Sequence, residues 1–306
     1  MKIIKAKALK SKDKIAIVAP ASPFSRDRFD KGLELLDNMG FKPVYDDSIF
    51  STENYLAGTD TRRLAELMRY IEDPDIKAIM AVRGGYGSMR LFSELNFRKI
   101  AQNPKIWMGF SDISALNAAI YCKTGLITIH GPQLVSLPDA SNEVRTHWLN
   151  LVCDKTKTGE IFSGKSETLV EGFAEGRIIT INLAMLCSLL ATPYLPDLTG
   201  HILAIEDVGE WPYRLDRMLT QLELAGIFKK INGLVLGQFT FPENAPQNSP
   251  QQLRQRIEEL ASKHQLPTIA NCPFGHIDDN YALASGVKVT LDATSGKLIQ
   301  NKAAIS

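Results

Sequence analysis

Short apolar runs, each followed by a stretch with one apolar helical face, leave this chain few folds to choose from. Lys14-Ile-Ala-Ile-Val-Ala-Pro20 has no strict alternation, as expected of a strand covered on both sides. After a turn at Ala21-Ser-Pro-Phe-Ser25, residues 26–39 place Phe29, Leu33 and Leu36 on one helical face, with Gly40 as C-cap. Phe41-Lys-Pro-Val-Tyr45 reads as a strand, and residues 61–72 as a helix with Leu64, Leu67, Met68 and Ile71 inward. Further strands are predicted at 78–82, 105–110 and 126–129, with a helix starting directly at Asp112. Strand and helix in alternation imply right-handed crossovers and a Rossmann-like parallel sheet flanked by helices. Ligands in such sheets sit at the carboxyl ends of strands, which directs attention to the loops at 83–87 and 110–112.

The 306 residues suggest two domains. The polar stretch at 154–168 has two glycines and no helical face, so it is read as a linker between an N-terminal domain, 1–153, and a C-terminal α/β domain, 169–306. The second unit reads as a buried helix at 181–191, a strand at 201–208, and a helix at 212–225 with Pro212 at N1 and Gly226 at C′. A strand at 233–239, a polar loop at 240–249, a helix at 250–264 and a hairpin of 287–292 with 297–300 complete it.

Composition removes several function classes. Apolar residues at 44% and charged residues at 23% describe an ordinary globular chain. Thirty-five basic and 34 acidic residues leave a net charge of +1, unlike a nucleic-acid binder with a basic face. No run of 18 apolar residues suggests a membrane span, and lysines interrupt the first residues, MKIIKAKALKSKDK, so no secretory signal is read. The cysteines at 122, 153, 187 and 272 have neither CxxC spacing nor histidine neighbours, so buried reduced thiols, no metal, no cofactor and a cytoplasmic setting are expected.

Three segments could carry chemistry. Gly109-Phe-Ser-Asp112 places Ser111 on a sharp strand-to-helix turn, the geometry of a nucleophile elbow, with the Asp112 amide unpaired at the helix start. The bland reading is that Ser111 or Asp112 caps the helix. Arg83-Gly-Gly-Tyr-Gly87 ends a neighbouring strand, where Gly84 or Gly85 could supply a second amide to an oxyanion hole; a flexible turn is the alternative. Glu206 and Asp207 end a buried strand, and either could orient a histidine. Of five histidines, His147 and His264 read as surface residues and His201 opens a strand. His276, in the aperiodic loop Cys272-Pro-Phe-Gly-His276, is preferred only modestly over His130 as the base.

Taken in order, these segments resemble the LD-carboxypeptidase (muramoyltetrapeptide carboxypeptidase) family of serine peptidases over nearly the whole chain. The markers are Ala19-Pro-Ala-Ser-Pro23, Arg83-Gly-Gly-Tyr-Gly87, Gly109-Phe-Ser-Asp112, Glu206-Asp207, Pro212-Tyr-Arg214, Asp216-Arg-Met-Leu219 and Phe274-Gly-His276. The resemblance implies a catalytic triad of Ser111, Glu206 and His276, and a C-terminal domain with a barrel-like or swivelling sheet. Asp112, Gly84 and Gly85 are the expected oxyanion-hole amides, and Arg83 and Tyr86 the expected substrate contacts. It further implies release of the terminal D-alanine from a murein tetrapeptide, during cytoplasmic peptidoglycan recycling, by a homodimer. Two positions depart from the pattern: Thr180-Ile-Asn-Leu183 lacks a usual pair of glycines, and Trp211 separates Glu210 from Pro212. A microcin-immunity branch of the family cleaves aminoacyl-nucleotide conjugates and would need an aromatic platform, for which Trp211 or Phe241 are candidates. A non-catalytic binding module is the rival from outside the family.

Overall fold

In a computed structural model, which describes residues 2–162 and 164–306, the alternation of apolar runs and helices becomes two sheets. The first half runs β1 (Lys14–Val18), α1 (Arg26–Asn38), β2 (Lys42–Val44), α2 (Asp60–Glu72), β3 (Ile76–Ala81), α3 (Phe97–Gln102), β4 (Ile106–Met108), α4 (Ile113–Thr124), β5 (Thr128–His130) and α5 (Asn142–Cys153). The second half runs β6 (Gly159–Glu160), β7 (Glu167–Val170), β8 (Phe173–Asn182), α6 (Leu183–Leu189), β9 (Ile202–Asp207), α7 (Pro212–Leu224), β10 (Gly233–Phe239), α8 (Ser249–Lys263) and β11 (Thr268–Ala270). It ends with β12 (Leu283–Ser285), β13 (Lys288–Asp292) and β14 (Lys297–Gln300).

The first sheet has the order β12-β5-β4-β3-β1-β2. Its first five strands in sequence are parallel, as the crossovers require. Successive residues of β1 face opposite layers: Ile15 and Ile17 enter one apolar cluster, Ala16 and Val18 the other. Both clusters continue into the second half, through Ile178 and Leu291 on one side and Ile179 and Leu203 on the other. The two halves therefore share their cores.

The second sheet has the order β6-β14-β13-β8-β9-β10-β11-β7. Its centre, β8 to β11, is parallel and its flanks are antiparallel. The end strands β6 and β7 are joined by the short stretch 161–166. That stretch reaches at most about 25 Å, whereas eight flat strands would hold their ends roughly 34 Å apart. The sheet must therefore curl.

Several elements differ from the sequence reading. The stretch 154–168 is not wholly linker, because it contains β6 and the start of β7; its Ser163 lies outside the described residues. The segment read as helix from Ile181 begins as the end of β8, whose β-branched run 178–181 is buried. The short strands β11 and β12 carry too little pattern to be seen alone. His147 and His264 are not free surface residues: the His147 ring bonds the Ala282 carbonyl at 2.9 Å, and His264 stacks on Phe228. Of the cysteines only Cys272 is fully buried, and all four are unpaired.

The crossing from β12 to β13 is the point where the two sheets are sewn together. β12 pairs antiparallel with β5, Leu283 opposite His130, and closes an edge of the first sheet. One residue later the Gly286 amide donates to Ile178 O on β8 at 2.7 Å. Gly286 has φ +101°, and a Cβ there would lie 2.5 Å from Tyr121 Cε2. Both backbone and space therefore demand glycine. Gly286→Ala is expected to lower unfolding free energy by about 1–3 kcal/mol, read as a shifted midpoint in urea denaturation with an unchanged slope.

Candidate active site

Ser111 follows β4 directly and adopts φ +61°, the left-handed region that a serine enters only when its surroundings hold it there. Its carbonyl accepts from the Ser114 amide at 2.9 Å and the Ser114 hydroxyl at 2.6 Å, which locks the turn into α4. At Gly109 a Cβ would lie 2.6 Å from Ile113 Cγ2, so glycine lets the strand pass close under the helix. This is the elbow that the sequence pattern suggested.

Asp112 does not cap its own helix. Its buried carboxylate instead accepts from the amides of Ser88 at 2.9 Å and Gly87 at 3.3 Å, and its carbonyl accepts from the Ser88 hydroxyl. Burial pushes this carboxyl up from its usual range, while the Ser88 and Gly87 donors pull the other way. It clips the 83–87 loop to the elbow. Among the described residues no acceptor faces the amides of Asp112 or Gly85. Gly84 differs: its amide donates to Gln133 Oε1 at 2.9 Å. That corrects the expectation that either glycine could face a developing oxyanion, because an amide already bonded to a side chain has no hydrogen left to offer. Gly84 serves by lacking a side chain. A Cβ there would lie 2.7 Å from Ser111 Cβ, 3.0 Å from its Oγ and 3.2 Å from the Asp112 amide.

The carboxylate and the imidazole come from the second half. Glu206, fully buried at the end of β9, holds His276 through a 2.7 Å bond between Oε2 and Nδ1. Gly275, at φ +114°, makes the approach possible, since a Cβ there would lie 2.9 Å from Glu206 Cβ. Asp207, the alternative acid, is engaged elsewhere: Asn182 Nδ2 and the amides of Ala184 and Val208 donate to it at 2.8–3.0 Å. Burial pushes Asp207 up to about 6. His130, the alternative base, is wholly buried, and its ring nitrogens have no partner among the described residues. Burial pulls it down to about 4, against the opposing charge of Glu206.

Asn182 ties the two halves at this point. It pairs with Glu206 in the β8–β9 register, its amide donates to the Ser114 hydroxyl oxygen at 3.1 Å, and its side chain donates to Asp207 at 2.9 Å. The elbow helix and the acid-bearing strand are thus joined through one residue.

Ser111, His276, Gly84, Gly85, Arg83 and Gln133 line one cavity of about 340 Å³. Ser111 and His276 face this space without a hydrogen bond between them among the described residues. Catalytic contacts of this kind commonly tighten only around substrate. Arg83 donates to Pro23 O at 3.3 Å and forms no ion pair among the described residues, so its guanidinium is open to an anion. Tyr86 does not line the cavity; it stands exposed against Tyr55, ring centroids 5.5 Å apart. Arg28 and Gln133 line the cavity unforeseen. Arg28 is occupied by Asp139 and by Val135 O at 3.0 Å. Gln133 follows the His130-Gly131-Pro132 turn that the sequence marked only for its histidine.

Two outcomes follow. Gly84→Ala should lower kcat/KM by about 10²-fold or more, because its methyl would push against Ser111 and fill the space beside the Asp112 amide. Activity within threefold of wild type would contradict that geometry. His130→Phe should flatten the acid limb of stability. The unfolded imidazole titrates near 6.5 and the folded one near 4. The unfolded chain therefore binds the proton first, and stability present above pH 6.5 is lost as pH falls toward 4. The variant should escape up to about 3 kcal/mol of that loss, measured by denaturation at pH 7 and pH 4.

Comparison with known proteins identifies the family. Residues 15–131 match the LD-carboxypeptidase N-terminal domain model, and residues 175–291 match the LD-carboxypeptidase C-terminal domain model. The chain is 32% identical over 291 residues to the probable murein peptide carboxypeptidase of Bacillus subtilis (strain 168), covering 94% of this chain and 91% of that protein. It is 29% identical over 306 residues to the microcin C7 self-immunity protein MccF of Escherichia coli, covering 90% and 88%. Among solved structures, the muramoyltetrapeptide carboxypeptidase of Oxalobacter formigenes superposes with a TM-score of 0.82 at 28% identity, covering 94% of this chain and 97% of that one. The two halves, the order of their motifs and these relatives establish that the chain belongs to the LD-carboxypeptidase family.

Proposed function

We propose that this protein is a serine carboxypeptidase that releases the terminal D-alanine from murein tetrapeptides by cutting an L,D-amide bond. The observation that carries the reading is the bond between His276 Nδ1 and buried Glu206, in a cavity that also receives Ser111 from a left-handed elbow. Fixing Nδ1 leaves Nε2 as the basic nitrogen that faces outward. Ser111 Oγ attacks the scissile carbonyl while His276 takes its proton. The amides of Asp112 and Gly85 receive the oxyanion. His276 then protonates the departing D-alanine nitrogen, and water admitted to the site hydrolyses the acyl-serine. Glu206 stabilises the transient imidazolium and holds its tautomer. Arg83 meets the free terminal carboxylate, for which a planar fork of donors is suited.

The name of the Bacillus subtilis relative supports murein peptides as the substrate class. The microcin-immunity alternative needs a platform for a nucleobase, and neither Trp211 nor Phe241 lines the Ser111 cavity; Phe241 belongs to a separate cavity beside β10. The cytoplasmic, homodimeric setting is part of the same proposal and rests on the family resemblance. No helix among the described residues is long and apolar enough to cross a membrane.

Purified Ser111→Ala, Glu206→Ala and His276→Ala should each lose about 10³-fold or more of D-alanine release from murein tetrapeptide, and the double variants should lose little further, as expected of groups acting together. Wild-type turnover in Ser111→Ala would end the covalent reading. Preferential cleavage of an aminoacyl sulfamoyl nucleoside over tetrapeptide by the wild type would transfer the protein to the other branch.

A further inference from the structure

An oxyanion hole made of two backbone amides is only as good as the positions of the two loops that carry them. Here the loops leave different strands, β3 and β4, and a misplacement of about 1 Å can cost 10²-fold in rate. Gln133 lies between them, 3% exposed. Its Oε1 accepts from the Gly84 amide at 2.9 Å and its Nε2 donates to the Phe110 carbonyl at 2.7 Å. One partner can only donate and the other can only accept, so the carboxamide has one satisfying orientation. Its backbone is anchored as well: Leu134 N donates to Ala81 O at 3.1 Å, Val135 N to Val82 O at 3.2 Å, and Gln133 N to the Ser136 hydroxyl at 2.9 Å.

Each bond fixes a peptide that matters. The Phe110 carbonyl belongs to the peptide entering Ser111, so holding it helps to hold the serine at φ +61°. The Gly84 amide belongs to the peptide entering Gly84. The next peptide is held from the other side, where Gly84 O accepts from Ser22 N at 3.3 Å. In a trans peptide the N–H points opposite to the C=O. The Gly85 N–H is thereby turned away from the Ser22 amide, and it meets no acceptor among the described residues.

We propose that Gln133 is a positioning residue, which sets the spacing of the Asp112 and Gly85 amides by bonding at once to the strand end that carries the nucleophile and to the glycine loop. This rests on the serine-hydrolase reading. Gln133 need not touch the substrate; it acts through the two peptides it bridges.

The test compares wild type, Gln133→Met and Gln133→Glu as full-length enzymes. Active sites are counted with a fluorophosphonate probe, so that misfolded protein drops out of the rate. Per labelled site, Gln133→Met should lose about 10- to 10²-fold in kcat on murein tetrapeptide, with KM within about threefold of wild type. A peptidyl boronate, whose tetrahedral adduct mimics the intermediate, should weaken by the same factor, whereas the tripeptide product should bind as before. Gln133→Glu should recover relative to wild type as pH falls, because a protonated carboxyl both accepts from Gly84 and donates to Phe110. Wild-type kcat per labelled site in Gln133→Met, or a loss confined to KM or to the number of labelled sites, would overturn the proposal. Failure of the fluorophosphonate to label wild type would instead remove the serine-hydrolase reading beneath it.

Discussion

The bond between His276 and Glu206 organises this molecule because it asks so much of its surroundings. A carboxylate with no solvent exposure is expensive to hold, and one left alone would favour its neutral form. Glu206 has one oxygen on the imidazole at 2.7 Å; the other has no partner among the described residues. In a low-dielectric setting that single contact acquires weight, and losing the imidazole would leave a buried charge uncompensated. The bare backbone of Gly275 lets the histidine loop settle onto Glu206. The strand beneath it is fixed by its register with β8, whose last residue is Asn182.

The same dependence explains why the site lies where the carboxyl ends of strands from two sheets converge. β3, β4 and β5 deliver the glycine loop, the elbow and Gln133, while β9 and the loop after β11 deliver the acid and the base. Separate halves that met only through side chains would leave these groups free to drift. Here the cores are continuous and Asn182 joins the elbow helix to the acid strand. Asp112 adds a further clip between elbow and glycine loop. Pre-organisation is thus distributed over several polar side chains that never need to meet a substrate.

What the sequence could disclose followed from how local each signal was. The elbow and the glycine loop were legible because a buried strand, a sharp turn and a helix start are all written in adjacent residues. His276 and Glu206 were separated from His130 and Asp207 only weakly, since burial and partners are set by chain segments far away. For the Asp112 side chain the sequence offers only the bland use as a helix cap, because the nearest backbone is the natural guess; its amide donors instead lie 24 and 25 residues earlier. Gln133 carried no signal at all, its two bonds reaching 49 and 23 residues back. Strand β8 was obscured because its apolar end runs straight into α6, and a continuous apolar stretch has no period that tells strand from helix.

The return of β12 to the first sheet also bears on how the protein is made. A ribosome releases residues 14–130 long before residue 283, so the β5 edge waits unpaired while most of the chain is still to come. Residues 6–8 likewise pair with a distant segment, with Ala8 N on Ser306 O and Ser306 N on Ala6 O. A polypeptide that stops short of residue 276 therefore carries Ser111 without His276, and the proposed triad can assemble only after the later segment has joined the fold.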